Sequence, residues 1–274
     1  MIRSNTSAPI RRRFGQNFLH DAGILARIVA AINPQPDDSV LEIGPGRGAL
    51  TAALLEHLER LVAVEIDRDL AAGLRAGFRS DRLQLHVDDA LAMQLADLGP
   101  VPECGWRVVG NLPYNISTPL MFHLLEQIGA IRDMHFLLQR EVVERITAAP
   151  GSKRYGRLTV MLAARADAQA LFTVPPGAFH PPPRVYSGVV RILPLAEPRI
   201  TEALYPTFRR LVNQAFSNRR KTLRRGLSGL AESTDLEAAG LDPGERPENV
   251  GVDAFEALAR RVWSRSLHGP GRGS

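Results

Sequence analysis

EIGPGRG, residues 42–48, closes the apolar run SVLEI (39–43) and opens directly onto the helical pattern ALTAALLEHL (49–58). Glycines at a strand-to-helix junction let the backbone turn tightly and let a ligand approach without meeting a Cβ. The same rhythm continues outward on both sides. The short β-like runs LVAVEI (61–66), LQLHV (83–87), WRVV (106–109) and MHFLL (134–138) alternate with helical segments such as PLMFHLLEQI (119–128). Upstream, AGILARIVAAI (22–32) carries the apolar spacing of an amphipathic helix. The alternation predicts βαβ units and a largely parallel, doubly wound α/β sheet. Residues 157–166 read as a helix and SGVVRIL (187–193) as a late strand, with the proline-rich PPGAFHPPP (175–183) as a loop between them.

PLAEPRI (194–200) reads as a linker, after which the pattern is all-helical. Phe208, Leu211, Val212, Ala215 and Phe216 recur at helical spacing within 207–227. Asp253 with Glu256 has the form of a capping box for a last helix carrying Phe255, Leu258, Val262 and Trp263. The expected division is an α/β domain over 1–195, a small helical domain over 196–267 and a disordered tail over 268–274.

Composition narrows the classes of function. No stretch approaches the ~20 apolar residues of a membrane span, and the N-terminus lacks the apolar core of a signal peptide. The one cysteine, Cys104, leaves no internal disulfide and no cysteine-rich zinc site, which suits a reducing, cytoplasmic setting. His57 and Glu59 form an H-x-E without the cysteine pair that a zinc deaminase also needs. The histidines show no ligand spacing, there is no G-x-S-x-G elbow, and no metal is expected. No extended apolar stripe is left over for an obligate dimer, so a monomer is expected. The net charge of +5 favours polyanionic partners where it is clustered. From 207 to 226 there are seven basic residues and no acidic one: Arg209, Arg210, Arg219, Arg220, Lys221, Arg224 and Arg225. Interleaved with apolar residues at helical spacing, they predict one buried and one basic stripe, a footprint for nucleic-acid phosphates. Arg11, Arg12 and Arg13 form a second cluster.

Three features point to a nucleotide-like ligand. Gly44-x-Gly46-x-Gly48 departs from the G-x-G-x-x-G of dinucleotide enzymes, is preceded by the acidic Glu42, and is no phosphate loop. A tight glycine turn beside a carboxylate suits S-adenosylmethionine, which brings no phosphate; a plain βα turn would explain the motif equally well on its own. Glu65 ends the next β-run 21 residues after Gly44, where a carboxylate can accept both ribose hydroxyls of an adenosine. Either Asp88 or Asp89, after the third run, can accept a hydrogen bond from an adenine amine.

After the fourth run comes GNLPYNIS (110–117). The exocyclic amine of adenine is a poor nucleophile because its lone pair is delocalised into the ring. Two acceptors aimed at its hydrogens would localise that pair, and the Asn111 side-chain oxygen with a backbone carbonyl near Leu112–Pro113 can supply them. Pro113 holds Leu112 extended, and Tyr114 can stack on a flipped base. Phe179, in the proline-rich loop, is a candidate for the opposite face of that base; a staple of the loop to the core is the other reading.

Taken in order, RFGQNFL (13–19), EIGPGRGALT (42–51), VEID (64–67), NLPYNIS (111–117), QREVVERI (139–146), AFHPPPRVYS (178–187) and FSNRRKTLRRGL (216–227) resemble the bacterial 16S rRNA adenine dimethyltransferases, the kasugamycin-resistance (KsgA) family. The likeness spans about residues 10 to 265, and GQNFL with NLPYNIS carries its specificity. It implies a Rossmann-like S-adenosylmethionine-dependent methyltransferase domain followed by a small helical one. The implied reaction is dimethylation of two adjacent adenosines in the 3′-terminal hairpin loop of 16S rRNA, in the small (30S) subunit late in assembly. By motif position, Asn17, Leu19, Gly44, Glu65, Asp89 and Asn111 would meet the cofactor, with Asp89 chosen over Asp88 on the resemblance alone. Asn111, Leu112, Pro113 and Tyr114 would hold the adenine, with Phe179 facing Tyr114. Arg219, Arg220, Lys221, Arg224 and Arg225 would contact RNA. A nicotinamide dehydrogenase is disfavoured by the 44–48 spacing and by NLPY. A non-catalytic RNA-binding assembly factor is disfavoured by the intact Asn111 and Tyr114.

Overall fold

A computed structural model of the chain describes residues 16–268. Arg11, Arg12 and Arg13, and all of the expected tail except His268, lie outside the described residues. Contacts divide the chain into two compact units, and not by one cut near 195. One unit runs through Val143 and resumes over Gln169–Pro194; the other takes Glu144–Ala168 and the chain from Leu195 onward. The expected α/β span of 1–195 is therefore interrupted: the segment 144–168 packs with the C-terminal helices.

In the first unit, β1 (Phe18–Leu19), α1 (Ala22–Ile32), β2 (Val40–Ile43), α2 (Ala49–Leu55), β3 (Leu61–Val64), α3 (Arg68–Gly77), β4 (Leu83–His86), β5 (Trp106–Asn111), α4 (Ser117–Glu126) and β6 (Ile131–Gln139) follow one another. Along the chain then come α5 (Arg140–Ile146), α6 (Arg157–Ala163), β7 (Ala166–Val174), β8 (Phe179–His180) and β9 (Ser187–Pro194). Seven strands form one sheet in the order β4-β3-β2-β5-β6-β9-β7. Strands β4, β3, β2, β5 and β6 are parallel neighbours, and β9 runs antiparallel to β6. Strand β2 is buried on both faces, which is why VLEI reads as an unbroken apolar run save for one residue. That exception, Glu42, is 1% exposed.

Local chemistry sets the element ends. Asp21 caps α1 by accepting from the Ile24 N–H at 2.9 Å, and the helix closes at Asn33 in the left-handed region, φ 49°. Its face of Ile24, Ile28, Val29 and Ile32 is buried, each side chain contributing roughly 1.5–3 kcal/mol. The proline-rich stretch is more ordered than a loop: Pro176–Ala178 makes a 3₁₀ turn, and β8 pairs antiparallel with β1, Leu19 opposite Phe179.

The second unit contains α6, α7 (Tyr205–Ser217), α8 (Leu223–Gly226), α9 (Ser233–Ala238) and α10 (Val252–His268). Phe208, Leu211, Val212, Phe255 and Leu258 are fully buried, and the Phe216 ring lies 6.0 Å from Phe255 and 6.2 Å from Tyr155. The helix expected across 207–227 is broken after Ser217. Asn218 turns its side-chain amide back onto the Gln214 carbonyl at 3.2 Å, an alternative to continuing the backbone ladder. Asp253 falls inside the first turn of α10, not at its cap, and pairs with Arg199 at 3.6 Å.

Candidate active site

The carboxyl ends of β2, β3, β4 and β5 all open onto one cavity of about 330 Å³, the place where open α/β sheets bind ligands. Its walls include Gln16 to Leu19, Glu42 to Arg47, Glu65, Ile66, Asp88 to Leu91 and Asn111 to Ile116. Asn17, Leu19, Gly44, Glu65, Asp89, Asn111, Leu112, Pro113 and Tyr114 all line it. Phe179 does not. It is 3% exposed and belongs to the apolar cluster with Leu19, Val174 and Val189, so the structure places its ring as a staple of the loop to the core. The side chain pairs with an apolar neighbour across β1–β8, and burial is its most favourable environment.

The glycine turn takes the conformation its spacing demands: Gly44, Gly46 and Gly48 have φ of 69°, 59° and 81°. A Cβ on Gly110 would stand 2.5 Å from the Ile43 carbonyl, so only glycine lets β5 approach β2 closely enough to set Asn111 beside the turn.

Each polar group in the cavity is aimed by a bond to its surroundings. Glu65 accepts from the Gly46 N–H at 3.0 Å with one oxygen and from the Asp67 N–H at 2.9 Å with the other. A carboxylate has about four lone-pair sites, so each oxygen keeps one for a further donor. Burial pushes the Glu65 carboxyl up, against the pull of those N–H groups. Glu42 accepts from the Thr51 hydroxyl at 2.6 Å. Burial, reinforced by the nearby Glu65 charge and only partly offset by Thr51, pushes its pKa up to about 7. Asp89 accepts from the Leu91 N–H at 2.9 Å with Oδ1, while the exposed Asp88 bonds the Asp89 N–H at 2.7 Å. Asp88 and Asp89 both line the cavity, each with one oxygen bonded to a backbone N–H, and Asp89 is the more buried of the two.

Asn111 donates its Nδ2 hydrogen to the Asn17 carbonyl at 3.0 Å. That bond fixes which end of the amide is which. The carbonyl oxygen is left as an acceptor in a cavity wall. Tyr114 follows, half-buried, its phenol sharing a hydrogen bond of 2.8 Å with Ser187. Ser187 was invisible in the sequence because it acts through Tyr114, 73 residues away, whereas Thr51 lies within the motif 42–51 that also holds its partner Glu42. Gln16, Phe18, Ile66 and Leu91 also line the cavity, and their adjacency to the motifs was the available signal.

The fit to S-adenosylmethionine can be judged from the donor set. The volume is that of a small-ligand site. The buried acidic groups Glu42 and Glu65 favour a cation, and among the described residues Arg47 is the one basic side chain in the cavity lining, which makes no cradle for a phosphate. A nucleoside bearing positive charge and no phosphate matches these walls. Among the described residues no cluster could hold a metal ion, and no helix is long and apolar enough to cross a membrane.

In the second unit Arg209 and Arg210 lie on α7, Arg219, Arg220 and Lys221 on the turn that follows it, and Arg224 and Arg225 on α8, so the seven do not share one continuous helix. Arg220, Lys221, Arg224 and Arg225 are exposed and make no ion pair among the described residues. Arg219 is engaged, donating to Glu248 at 2.6 Å and to the Lys153 carbonyl at 3.0 Å.

Comparison with known proteins agrees with this geometry. Residues 8–260 match the family model described as ribosomal RNA adenine dimethylase. The Ribosomal RNA small subunit methyltransferase A of Chromobacterium violaceum is 51% identical over 94% of this chain and 98% of its own length. Its counterpart in Thiobacillus denitrificans is 52% identical over 93% and 98%. Among solved structures, a dimethyladenosine transferase from Plasmodium falciparum superposes with a TM-score of 0.74 at 25% identity, over 91% of this chain and 98% of that one. The 23S rRNA methyltransferase ErmE superposes with a TM-score of 0.69 at 26% identity, over 90% and 99%. The chain belongs to the ribosomal RNA adenine dimethylase family, Rossmann-like methyltransferases that use S-adenosylmethionine to dimethylate adenine in ribosomal RNA.

Proposed function

We propose that this enzyme dimethylates the 6-amino groups of two adjacent adenosines in the 3′-terminal hairpin loop of 16S rRNA. Its substrate is the small (30S) ribosomal subunit late in assembly, in the cytoplasm, and it acts as a monomer. The observation that carries the reading is the bond made by Asn111: its amide nitrogen donates to the Asn17 carbonyl, which leaves the side-chain oxygen of this cavity-lining residue as an acceptor.

S-Adenosylmethionine, when bound, supplies a methyl carbon made electrophilic by its sulfonium. Glu65 would hold the ribose hydroxyls through the lone pairs its two backbone bonds leave open. Asp89 would accept from the adenine amine of the cofactor through Oδ2, and Asn17, Leu19 and Gly44 would bound the same ligand. Glu42 adds negative charge beneath it.

For the target base, the Asn111 oxygen and the backbone around Leu112–Pro113 accept from the exocyclic N–H groups. That draws the nitrogen lone pair out of the ring, a preorganised dipole acting where charge develops. Tyr114 stacks on the ring, and a single-stranded loop adenine is the base least costly to turn out. Phe179 is left with its packing role. Arg220, Lys221, Arg224 and Arg225, with Arg219 beside them, bind phosphates and position the particle without reading sequence.

The test is Asn111→Ala. Methyl transfer to undermethylated small subunits should fall by about 10²–10³, while binding of the subunits is retained. Turnover at the wild-type rate would remove Asn111 from the chemistry.

A further inference from the structure

The strand β9 is apolar, SGVVRILP, and its first residue is a hydroxyl with no solvent exposure: Ser187 is 0% exposed. A buried hydroxyl needs a partner. The partner here is the Tyr114 phenol, 2.8 Å away across 73 residues of chain. Ser187 stands opposite Gln139, the last residue of β6, so it occupies the carboxyl edge of the sheet alongside the Asn111 end of β5.

Tyr114 is thereby held at both ends. Ser117, also 0% exposed, donates its hydroxyl to the Tyr114 carbonyl at 3.0 Å. Pro113 restricts the backbone on the other side. These contacts fix where the side chain starts, and they leave its two torsions free. The bond to Ser187 fixes where it ends, and burial, which the serine only partly offsets, keeps the phenol protonated beyond its ordinary range. With both ends fixed the axis of the ring, from Cβ to the phenol oxygen, is set before any base arrives, and the cost of ordering it is not charged to binding.

We infer that Ser187 is a positioning residue for the methyl-transfer reaction, using the antiparallel strand β9 to hold the axis of the Tyr114 ring where the target base stacks. The inference rests on the proposed role of Tyr114. It explains why a serine opens an otherwise apolar buried strand.

The experiment measures steady-state transfer to undermethylated small subunits, and S-adenosylmethionine binding by calorimetry, for Ser187→Ala, Tyr114→Phe and the double variant. Each single change should lower kcat/KM for the subunit about tenfold, the loss expected for one hydrogen bond with a buried or half-buried partner left behind. Cofactor affinity should not move. The double variant should be no worse than either single one, because both remove the same bond. Ser187→Thr, which keeps a hydroxyl, should restore most of the loss. Additive losses in the double variant, or a loss of cofactor binding in step with turnover, would overturn the proposal. Should Ser187→Ala fail to fold, Tyr114→Phe interrogates the bond from the other side, and wild-type turnover there overturns it. Tyr114→Ala separates the two ideas: wild-type turnover removes the stacking role altogether, whereas loss of transfer beside an unimpaired Ser187→Ala removes only the anchor.

Discussion

The parallel strands of the first unit carry carboxylates at both ends, and the two ends treat them oppositely. At the amino end Arg107, buried in β5, donates to Asp133 at 3.0 Å and to Asp38 at 2.6 Å, and Arg132 adds a bond to Asp38 at 2.8 Å. Burial penalises both acids, yet the Gln35 N–H and Arg107 outweigh it at Asp38, and His135 and Arg107 outweigh it at Asp133; both are held below the usual carboxylate range. At the carboxyl end Glu42 and Glu65 are equally buried, face no arginine among their bonded partners, and are pushed upward. The amino end is electrostatically complete. The carboxyl end keeps an uncompensated negative potential, which is a cost to the fold and an advantage for a cationic ligand.

The sharpest way to break this comparison is Arg107→Met. It leaves Asp133 without its arginine and Asp38 with only the exposed Arg132, and stability should fall by about 3–5 kcal/mol in urea denaturation. A loss no larger than that of an ordinary surface change would mean that the amino end is not held together by this network.

Glu42→Gln is the counterpart at the other end and should act with the opposite sign. Glu42 has its folded pKa raised to about 7 from an ordinary 4.5. Between those values the folded state binds more protons than the unfolded one, so stability falls as pH rises through that window. The full cost, of order 3 kcal/mol, is present above pH 7. The variant, which can still accept from Thr51, should be more stable than the parent at pH 8 and equal to it near pH 4. A variant less stable at pH 8 would contradict the idea that this carboxylate is a cost. For the same reason cofactor binding by the parent should tighten as pH rises through 7.

Glu65→Gln should weaken S-adenosylmethionine binding by about 1.5–3 kcal/mol, the worth of hydrogen bonds to a charged group. Calorimetry at constant pH reads it directly, and an unaltered affinity would remove Glu65 from the ribose. The smallest effect belongs to the second unit. Neutralising Arg220 or Lys221 should lower the slope of log affinity against log salt by about one for each phosphate that no longer meets a cation. A slope that does not move would show that this cluster is not the footprint.

The same contrast explains what the sequence could reveal. Buried parallel strands such as VLEI and LVAV announce themselves as apolar runs, and the glycine turn marks which end of them carries the ligand. Glu65 and Asn111 were legible because each stands at the end of a strand at that edge, whereas only the resemblance separated Asp89 from Asp88. The helix α3, RDLAAGLRAG, went unread because charges dilute its apolar face. Strand β7, half-exposed along much of its length, carries no unbroken apolar run to announce it. The transfer of 144–168 to the second unit, the two-residue β1–β8 pair and the Ser187–Tyr114 bond are long-range pairings, and periodicity holds no signal for them. Phe179 had two readings, a surface for a base and a staple of the loop to the core, and the structure packs its ring in the apolar core cluster.

The most direct test of the function is to supply radiolabelled S-adenosylmethionine with undermethylated small ribosomal subunits, digest the rRNA and identify the labelled nucleoside. The proposed reaction requires the label in N6-dimethyladenosine, from adjacent positions near the 3′ end, and requires it to vanish with Asn111→Ala. Label in any other nucleoside would contradict the reading of Asn111 and Tyr114, and no label on subunits that still bind the protein would contradict the assignment of catalysis itself.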